Sequence, residues 1–242
     1  MTTNPNTNFA IGGATTSSVN IGQSLSPSFI GIQTQVDNNS ISDPNALYVI
    51  WGGANDYLGG VTTDPNIPVG NLTNEIATLI SNNAKNILVV NLPNLGELPS
   101  TRNTANPSGL NTLTQFHNAG LAASINNLST TNSSVNLKLL DVNSLFNQAI
   151  VNPSSLGLNN VTDGCLLVGC TAPDNYLFWD DIHPTTATHQ LIGNLAFQTV
   201  SPTAVPEPTT VIGSLMAGGS IVMLKRKLKS SKLKANQLVK AT

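Results

Sequence analysis

Short apolar runs alternate with longer amphipathic segments along the first 200 residues of the chain. Three runs have the length and composition of buried strands: 46–51, 87–91 and 135–141. Four segments have apolar residues at helical spacing: 69–81, 110–128, 143–152 and 187–200. Strands that alternate with helices in this way predict an α/β fold, in which helices cover both faces of a parallel sheet.

Polar residues follow two of the predicted strands directly. Asn55 and Asp56 come after the first strand and its two glycines, and Pro93 and Asn94 come after the second strand. Ligands of open α/β sheets bind beyond the carboxyl ends of the strands, so these four residues are candidates for a functional site.

The charge distribution divides the chain into an acidic body and a basic tail. A length of 242 residues suits one α/β domain, and only 9% of the residues are charged. Residues 1–208 hold all twelve acidic residues and only three basic ones, which gives them a formal net charge of −9. An acidic body lacks the positive surface that phosphate backbones need, so we expect no binding of nucleic acid. The shortage of charge favours an exported protein.

The last 34 residues combine an apolar run with positive charge. Residues 209–224 are uncharged, and seven of the ten basic residues follow them, beginning with Lys225. A helix over this run would be about 24 Å long, somewhat shorter than the hydrocarbon core of a bilayer. An amphipathic or buried helix is the alternative, but the run has three glycines and no polar face.

This C-terminal pattern, with Val205-Pro206-Glu207-Pro208 before the apolar run, resembles the PEP-CTERM sorting signal of bacterial exported proteins. The resemblance implies a domain over 1–200, a Pro-rich linker over 201–208 and a sorting segment over 209–242. It also implies export, transient anchoring in the inner membrane through 209–224, and cleavage by a sorting protease of the exosortase type before arrival at the cell surface or outside the cell. The N-terminal residues show no signal peptide, and we expect the true start to lie upstream.

His183 and Asp180 form the first candidate for chemistry. They lie in the segment Trp179-Asp180-Asp181-Ile182-His183-Pro184. An aspartate three residues before a histidine can accept a hydrogen bond from Nδ1 and leave Nε2 free as a general base. We expect Asp180, and not Asp181, to contact the ring. By contrast, His117 lies in a predicted helix and His189 begins one, so we expect a half-buried structural residue and a solvated one.

Two glycine-rich turns offer hydrogen-bond donors for an oxyanion. The turn at Gly12 and Gly13 supplies backbone N–H groups, and Asn55 supplies a side-chain amide just after a strand. We interpret Asp56 as a structural partner of nearby backbone rather than as a catalytic residue.

Cys165 and Cys170 are the two cysteines, and four residues separate them. A metal site would need further ligands nearby, and the spacing differs from that of redox pairs. In an exported protein we expect a small disulfide loop, with Cα atoms within disulfide range; two free thiols are the alternative.

In their order along the chain, these turns and the Asp-x-x-His segment resemble the SGNH (GDSL) family of esterases and lipases, in its secreted bacterial branch. The resemblance extends from about residue 8 to residue 197 and implies a three-layer, flavodoxin-like α/β/α fold. It implies an oxyanion hole formed by Gly13, or by Gly12, together with Asn55. Asp180 and His183 match the last two members of a Ser-Asp-His triad. The substrate would be a small-molecule or lipid ester, and no cofactor or metal is implied.

The Gly-Asp-Ser-Leu run that carries the serine of this family is not found in the chain. The similar run Gly22-Gln23-Ser24-Leu25 follows the oxyanion glycine instead of preceding it and lacks the aspartate. We therefore expect the domain to be truncated at its N-terminus and the chain as written to be inactive. The alternative is a non-catalytic surface or matrix protein on an esterase scaffold.

Overall fold

The computed structural model of the chain describes residues 7–39 and 43–201. Three parallel strands form its main sheet in the order β1-β2-β3: Leu47–Trp51, Asn86–Val90 and Asn136–Leu140. In their register, Leu47 lies beside Asn86, and Asn86 lies beside Asn136. A second sheet pairs β4, Asn160–Gly164, with β5, Tyr176–Phe178, again in parallel. The three predicted strands and the parallel α/β class are confirmed.

The described residues form seven α-helices, of which α1 precedes β1, α7 follows β5 and the others lie between strands: α1 Ile32–Asn38, α2 Ala54–Leu58, α3 Asn66–Ser81, α4 Pro107–Thr131, α5 Val142–Val151, α6 Cys165–Val168 and α7 Thr186–Val200. The four predicted helices correspond to α3, α4, α5 and α7. The short helices α1, α2 and α6 and the short strands β4 and β5 were not predicted, because three to seven residues are too few to establish a periodicity.

The core consists of two apolar clusters, one on each face of the main sheet. Ile87 and Val89 of β2 belong to one cluster with residues of α3 and α4, whereas Leu88 and Val90 belong to the other with residues of α5 and α7. Because successive residues of a strand point to opposite faces, β2 is buried on both sides. This arrangement gives the three α/β/α layers that the sequence predicts.

The strand β1 is less buried than the sequence predicts. Ile50 is only 6% exposed, but Leu47, Val49 and Trp51 are 46%, 57% and 39% exposed. Among the described residues β1 pairs only with β2, so it forms the edge of the sheet. One face of β1 contributes to the core through Ile50 and Tyr48, while its alternate side chains remain accessible.

No helix in residues 7–39 and 43–201 combines the length and the apolar character needed to cross a membrane. The predicted linker beyond Ser201 and the predicted sorting segment 209–242 lie outside the described residues.

Candidate active site

The Asp180 carboxylate holds the His183 side chain in one orientation. Its Oδ2 atom lies 2.7 Å from Nδ1 of His183, while its Oδ1 atom accepts hydrogen bonds from the backbone N–H groups of Ile182 and His183, at 2.9 and 2.7 Å. With Nδ1 held as the donor, Nε2 of the neutral ring is the basic nitrogen. The backbone oxygen of Asp181 accepts a hydrogen bond from Ser100, and no hydrogen bond joins its carboxylate to the His183 ring.

Several hydrogen bonds keep Asp180 ionised. Partial burial by itself would raise the pKa of Asp180, but the two backbone donors and the His183 ring together hold this pKa below its ordinary value. The carboxylate is therefore charged at neutral pH and can stabilise a positive imidazolium when His183 accepts a proton.

The loop that carries both residues is fixed to β5. The backbone N–H of Trp179 donates to the His183 carbonyl at 2.7 Å, which closes the turn around Asp180. Directly after the loop, the Thr185 N–H donates to Leu177 and its hydroxyl donates to Tyr176, and α7 begins at Thr186. The elements β5 and α7 thus flank the short segment 179–185, which we call the Asp180–His183 loop.

Gly13 and Asn55 lie together, although 42 positions separate them in the chain. The Asn55 Nδ2 atom donates to the carbonyl of Ala14 at 2.9 Å, so the strand-end turn is tied to the glycine turn. Gly13 has a φ of 77°, in the left-handed region that glycine favours. Its N–H has no acceptor among the described residues. This N–H and the second amide hydrogen of Asn55 are available as donors for an oxyanion.

The buried Asp56 carboxyl group joins the turn after β1 to the segment that follows Gly13. It is only 2% exposed, and it accepts hydrogen bonds from the backbone N–H and the hydroxyl of Thr16, the latter at 2.7 Å. Burial raises its pKa, although the bonds from Thr16 act in the opposite direction. This placement agrees with the structural role that we expected for Asp56.

One cavity of about 550 Å³ brings the predicted site residues together. Gly12, Gly13, Asn55 and His183 all line it, and most of its remaining wall is apolar. An apolar cavity with a few convergent polar groups is the usual form of a site for small organic molecules.

No serine of the described residues lines this cavity, and none is hydrogen-bonded to His183. Ser24 lies in the turn after the Gly13 segment and is exposed, away from the cavity wall.

The other two histidines differ in their relation to the cavity. His117 was expected to be half-buried, but it is fully buried because its ring packs against Gly53, where an added Cβ would lie 2.6 Å from Cε1. Its Nδ1 atom pairs with the Tyr57 hydroxyl at 2.9 Å, and burial lowers its pKa to about 4. His189 is exposed as expected, but it also lines the cavity, which the sequence did not indicate.

Of the two candidate residues predicted beyond β2, Pro93 lines the His183 cavity and Asn94 does not. Asn94 faces a separate polar cleft of about 390 Å³. Its side chain bonds there to the amides of Asn143 and Asn147, so its role is to join the end of β2 to α5.

The two cysteines form a disulfide, with their Cα atoms 5.0 Å apart. It closes a ring of six residues around α6, beside the Asp180–His183 loop. Gly164, just before the ring, packs directly on the backbone of Asp180, where an added Cβ would collide with the Asp180 carbonyl.

Comparison with known proteins gives a family match over most of the chain. The GDSL-like Lipase/Acylhydrolase family matches residues 1–196. A Pseudomonas putida protein from the trpE–trpG intergenic region is 31% identical over 183 residues, which cover 68% of this chain and 30% of that protein. The Aeromonas hydrophila phosphatidylcholine-sterol acyltransferase is 25% identical over 63% of this chain and 60% of its own length. Esterase EstA of Pseudomonas aeruginosa is 29% identical over 66% of this chain and 27% of its own length. The chain thus spans 60% or less of these relatives.

Proposed function

Because this chain belongs to the GDSL-like lipase and acylhydrolase family, we propose that it carries the acid–base and oxyanion-binding parts of a site that hydrolyses ester bonds. The observation that carries the proposal is one cavity lined by both Asn55 and His183, with Asp180 bound to the far side of the His183 ring. The substrate is a small-molecule or lipid ester, whose apolar part fits the apolar wall.

The positions of the hydrogen-bond donors support the following reaction. A serine hydroxyl attacks the ester carbonyl, and Nε2 of His183 accepts its proton while Asp180 stabilises the imidazolium. The N–H of Gly13 and the amide of Asn55 stabilise the tetrahedral oxyanion. His183 then gives this proton to the leaving alkoxide. In the second step His183 takes a proton from a water molecule that attacks the acyl-serine, and it returns this proton to the serine oxygen as the acid departs.

The nucleophile in this proposal comes from outside residues 7–39 and 43–201. No described serine lines the cavity, and β1 has an accessible edge next to the Gly52–Gly53 turn where a further parallel strand can pair. A strand in that position would end at the same edge of the sheet as β1, near Asn55.

A gain-of-function fusion tests the proposal. The chain alone is expected to show no steady hydrolysis of 4-nitrophenyl butyrate and no labelling by a fluorophosphonate. A fusion that begins with a designed strand ending in Gly-Asp-Ser-Leu is expected to gain both, and serine-to-alanine substitution in the added strand should abolish them. A fusion that unfolds cooperatively and has the expected helix content, yet remains inactive, would contradict the proposal. It would favour a non-catalytic surface or matrix protein instead.

From the sequence alone we also propose that residues 209–224 anchor the protein in the inner membrane before a sorting protease cuts near Pro206 and Pro208. The seven basic residues that follow suit an anionic cytoplasmic leaflet. An exported reporter fused to residues 203–242 should be held in the membrane and then trimmed in a host that has the sorting machinery. A reporter that stays soluble and uncut would refute this.

A further inference from the structure

The carbonyl groups of Gly12 and Gly13 both accept hydrogen bonds from the segment that follows them. The Gly12 carbonyl accepts one from the Asn20 side-chain amide at 2.9 Å, and the Gly13 carbonyl accepts one from the Ile21 N–H at 3.0 Å. Both glycines line the His183 cavity, whereas Asn20 does not line it and is only 2% exposed. Asn20 therefore contacts this turn without reaching the cavity.

Residues 11–14 form a β-turn whose central peptide lies between Gly12 and Gly13. The Ala14 N–H donates to the Ile11 carbonyl at 3.3 Å, and the φ of 77° at Gly13 is that of a type II turn rather than a type I turn. The two types differ by about half a rotation of the central peptide. Because a glycine lies on each side of this peptide, the backbone can adopt either orientation at little steric cost.

The orientation of this peptide decides where the Gly13 N–H points. A trans peptide carries its C=O and N–H on opposite sides, so a Gly12 carbonyl that faces Asn20 directs the Gly13 N–H away from Asn20. In the other orientation the N–H would face Asn20, and the carbonyl oxygen would take its place beside the cavity. An oxygen in that position would repel an oxyanion instead of stabilising it. The hydrogen bond from Asn20 therefore selects the orientation that offers a donor.

The remaining contacts of Asn20 fix its amide group. Its Oδ1 atom accepts a hydrogen bond from the Gly22 N–H at 2.7 Å, so the side-chain nitrogen is the atom that donates to the turn. The same nitrogen lies 3.4 Å from the Ile30 carbonyl oxygen. A Cβ added to Gly13 would lie 2.7 Å from Oδ1, so the side chain packs directly against the turn. These contacts leave Asn20 one orientation.

We propose that Asn20 is a positioning residue that fixes the Gly12–Gly13 peptide with its N–H directed at the oxyanion. This inference rests on the proposed ester hydrolysis, and it adds to that site a residue outside the cavity wall. It also assigns Gly13, rather than Gly12, as the backbone donor, because the held carbonyl belongs to the same peptide as the Gly13 N–H.

Nuclear Overhauser effects in the isotope-labelled full chain report the orientation of the peptide. A type II turn brings the Hα atoms of Gly12 next to the Gly13 amide proton, whereas a type I turn brings the two amide protons together. We expect the first cross-peak in the wild type. Asn20→Asp should replace it by the second, because the introduced carboxylate repels the Gly12 carbonyl and accepts the Gly13 N–H. This variant still accepts the hydrogen bond from Gly22.

Two further variants complete the test. Asn20→Ala removes the amide without burying a charge, and it should weaken the first cross-peak even if Asn20→Asp does not fold. Asn132→Asp is the matched control, because the Asn132 amide also donates to a backbone carbonyl, that of Leu128 at 2.9 Å, but lies outside the cavity wall. It should keep the first cross-peak. An unchanged first cross-peak in whichever Asn20 variant folds, as judged by circular dichroism, would overturn the proposal.

Kinetics in the serine-bearing fusion measure the catalytic consequence. Asn20→Asp should lower kcat for 4-nitrophenyl butyrate by about 10²-fold or more and change KM by less than about threefold, because the lost donor acts in the transition state. Asn132→Asp should leave both constants unchanged. A purely structural role would lower stability and leave kcat of the folded protein unchanged, and that result would overturn the proposal. An inactive parent fusion whose turn responds as expected would refute the proposed function alone.

Discussion

Glu75 gives the sharpest prediction for stability, because it is a buried carboxyl group with no hydrogen-bond partner for Oε2 among the described residues. It lies in α3 and is only 4% exposed. Burial raises its pKa to about 8, and the charges of Asp37 and Asp56 act in the same direction. The folded protein therefore holds this carboxyl group protonated at neutral pH.

The sign of the pH dependence follows from the two pKa values. The ordinary value, which applies to the unfolded chain, is 4.5, so between pH 4.5 and about 8 the folded state binds the extra proton. In this range the contribution of Glu75 lowers the free energy of unfolding by up to about 1.4 kcal/mol per pH unit as the pH rises. The accumulated loss is about 3 kcal/mol at pH 7, and it levels off above pH 8.

Glu75→Gln removes the titration and keeps the shape of the side chain. We expect the difference in unfolding free energy between the variant and the wild type to increase by about 3 kcal/mol between pH 4.5 and 7. Urea unfolding at half-unit pH steps measures it, and any fixed cost of burying the amide cancels from the slope. Glu97→Gln is the matched control, because Glu97 is only partly buried and accepts a hydrogen bond from Asn111. Equal slopes for Glu75→Gln and the wild type would refute the reasoning.

Three further outcomes are expected. His117→Phe should remove a loss of stability as the pH falls from 6.5 to about 4, because the buried ring is neutral when folded and takes up a proton on unfolding; urea unfolding over that range measures it. Thr16→Val should lower the unfolding free energy by about 2 kcal/mol, since it removes a hydroxyl donor from a buried carboxylate, and an unchanged urea midpoint would contradict this. Replacing Cys165 and Cys170 together by serine should cost about 2 kcal/mol for a six-residue ring, and calorimetry should show a lower melting temperature.

The sequence predicted the elements whose pattern repeats, such as α4 and the doubly buried β2. It also indicated the Asp180–His183 contact, because a spacing of three on a loop that ends at proline permits it. The sequence did not predict the solvent exposure of side chains whose packing partners lie far away in the chain. The strand β1 has the composition of a buried strand, but the described residues provide a partner on only one side.

The sequence also did not predict that His189 lines the cavity. Its position in the first turn of α7 gave no indication that the helix starts at the cavity wall. The exposure of Leu166, Leu167 and Val168 was equally hidden, because these three residues have the composition of a core segment. Only the tertiary contacts of Gly164 and Trp179 place this segment beside the Asp180–His183 loop.

The central claim is that His183 is the general base of an ester-hydrolysing site, and His189 provides its control because both histidines line the same cavity. In the fusion that carries the added serine, kcat/KM for 4-nitrophenyl butyrate should fall by about 10⁴ or more in His183→Ala. In His189→Ala it should change by less than about tenfold, since His189 has no carboxylate partner among the described residues. Equal losses in the two variants, or activity that survives His183→Ala, would contradict the account.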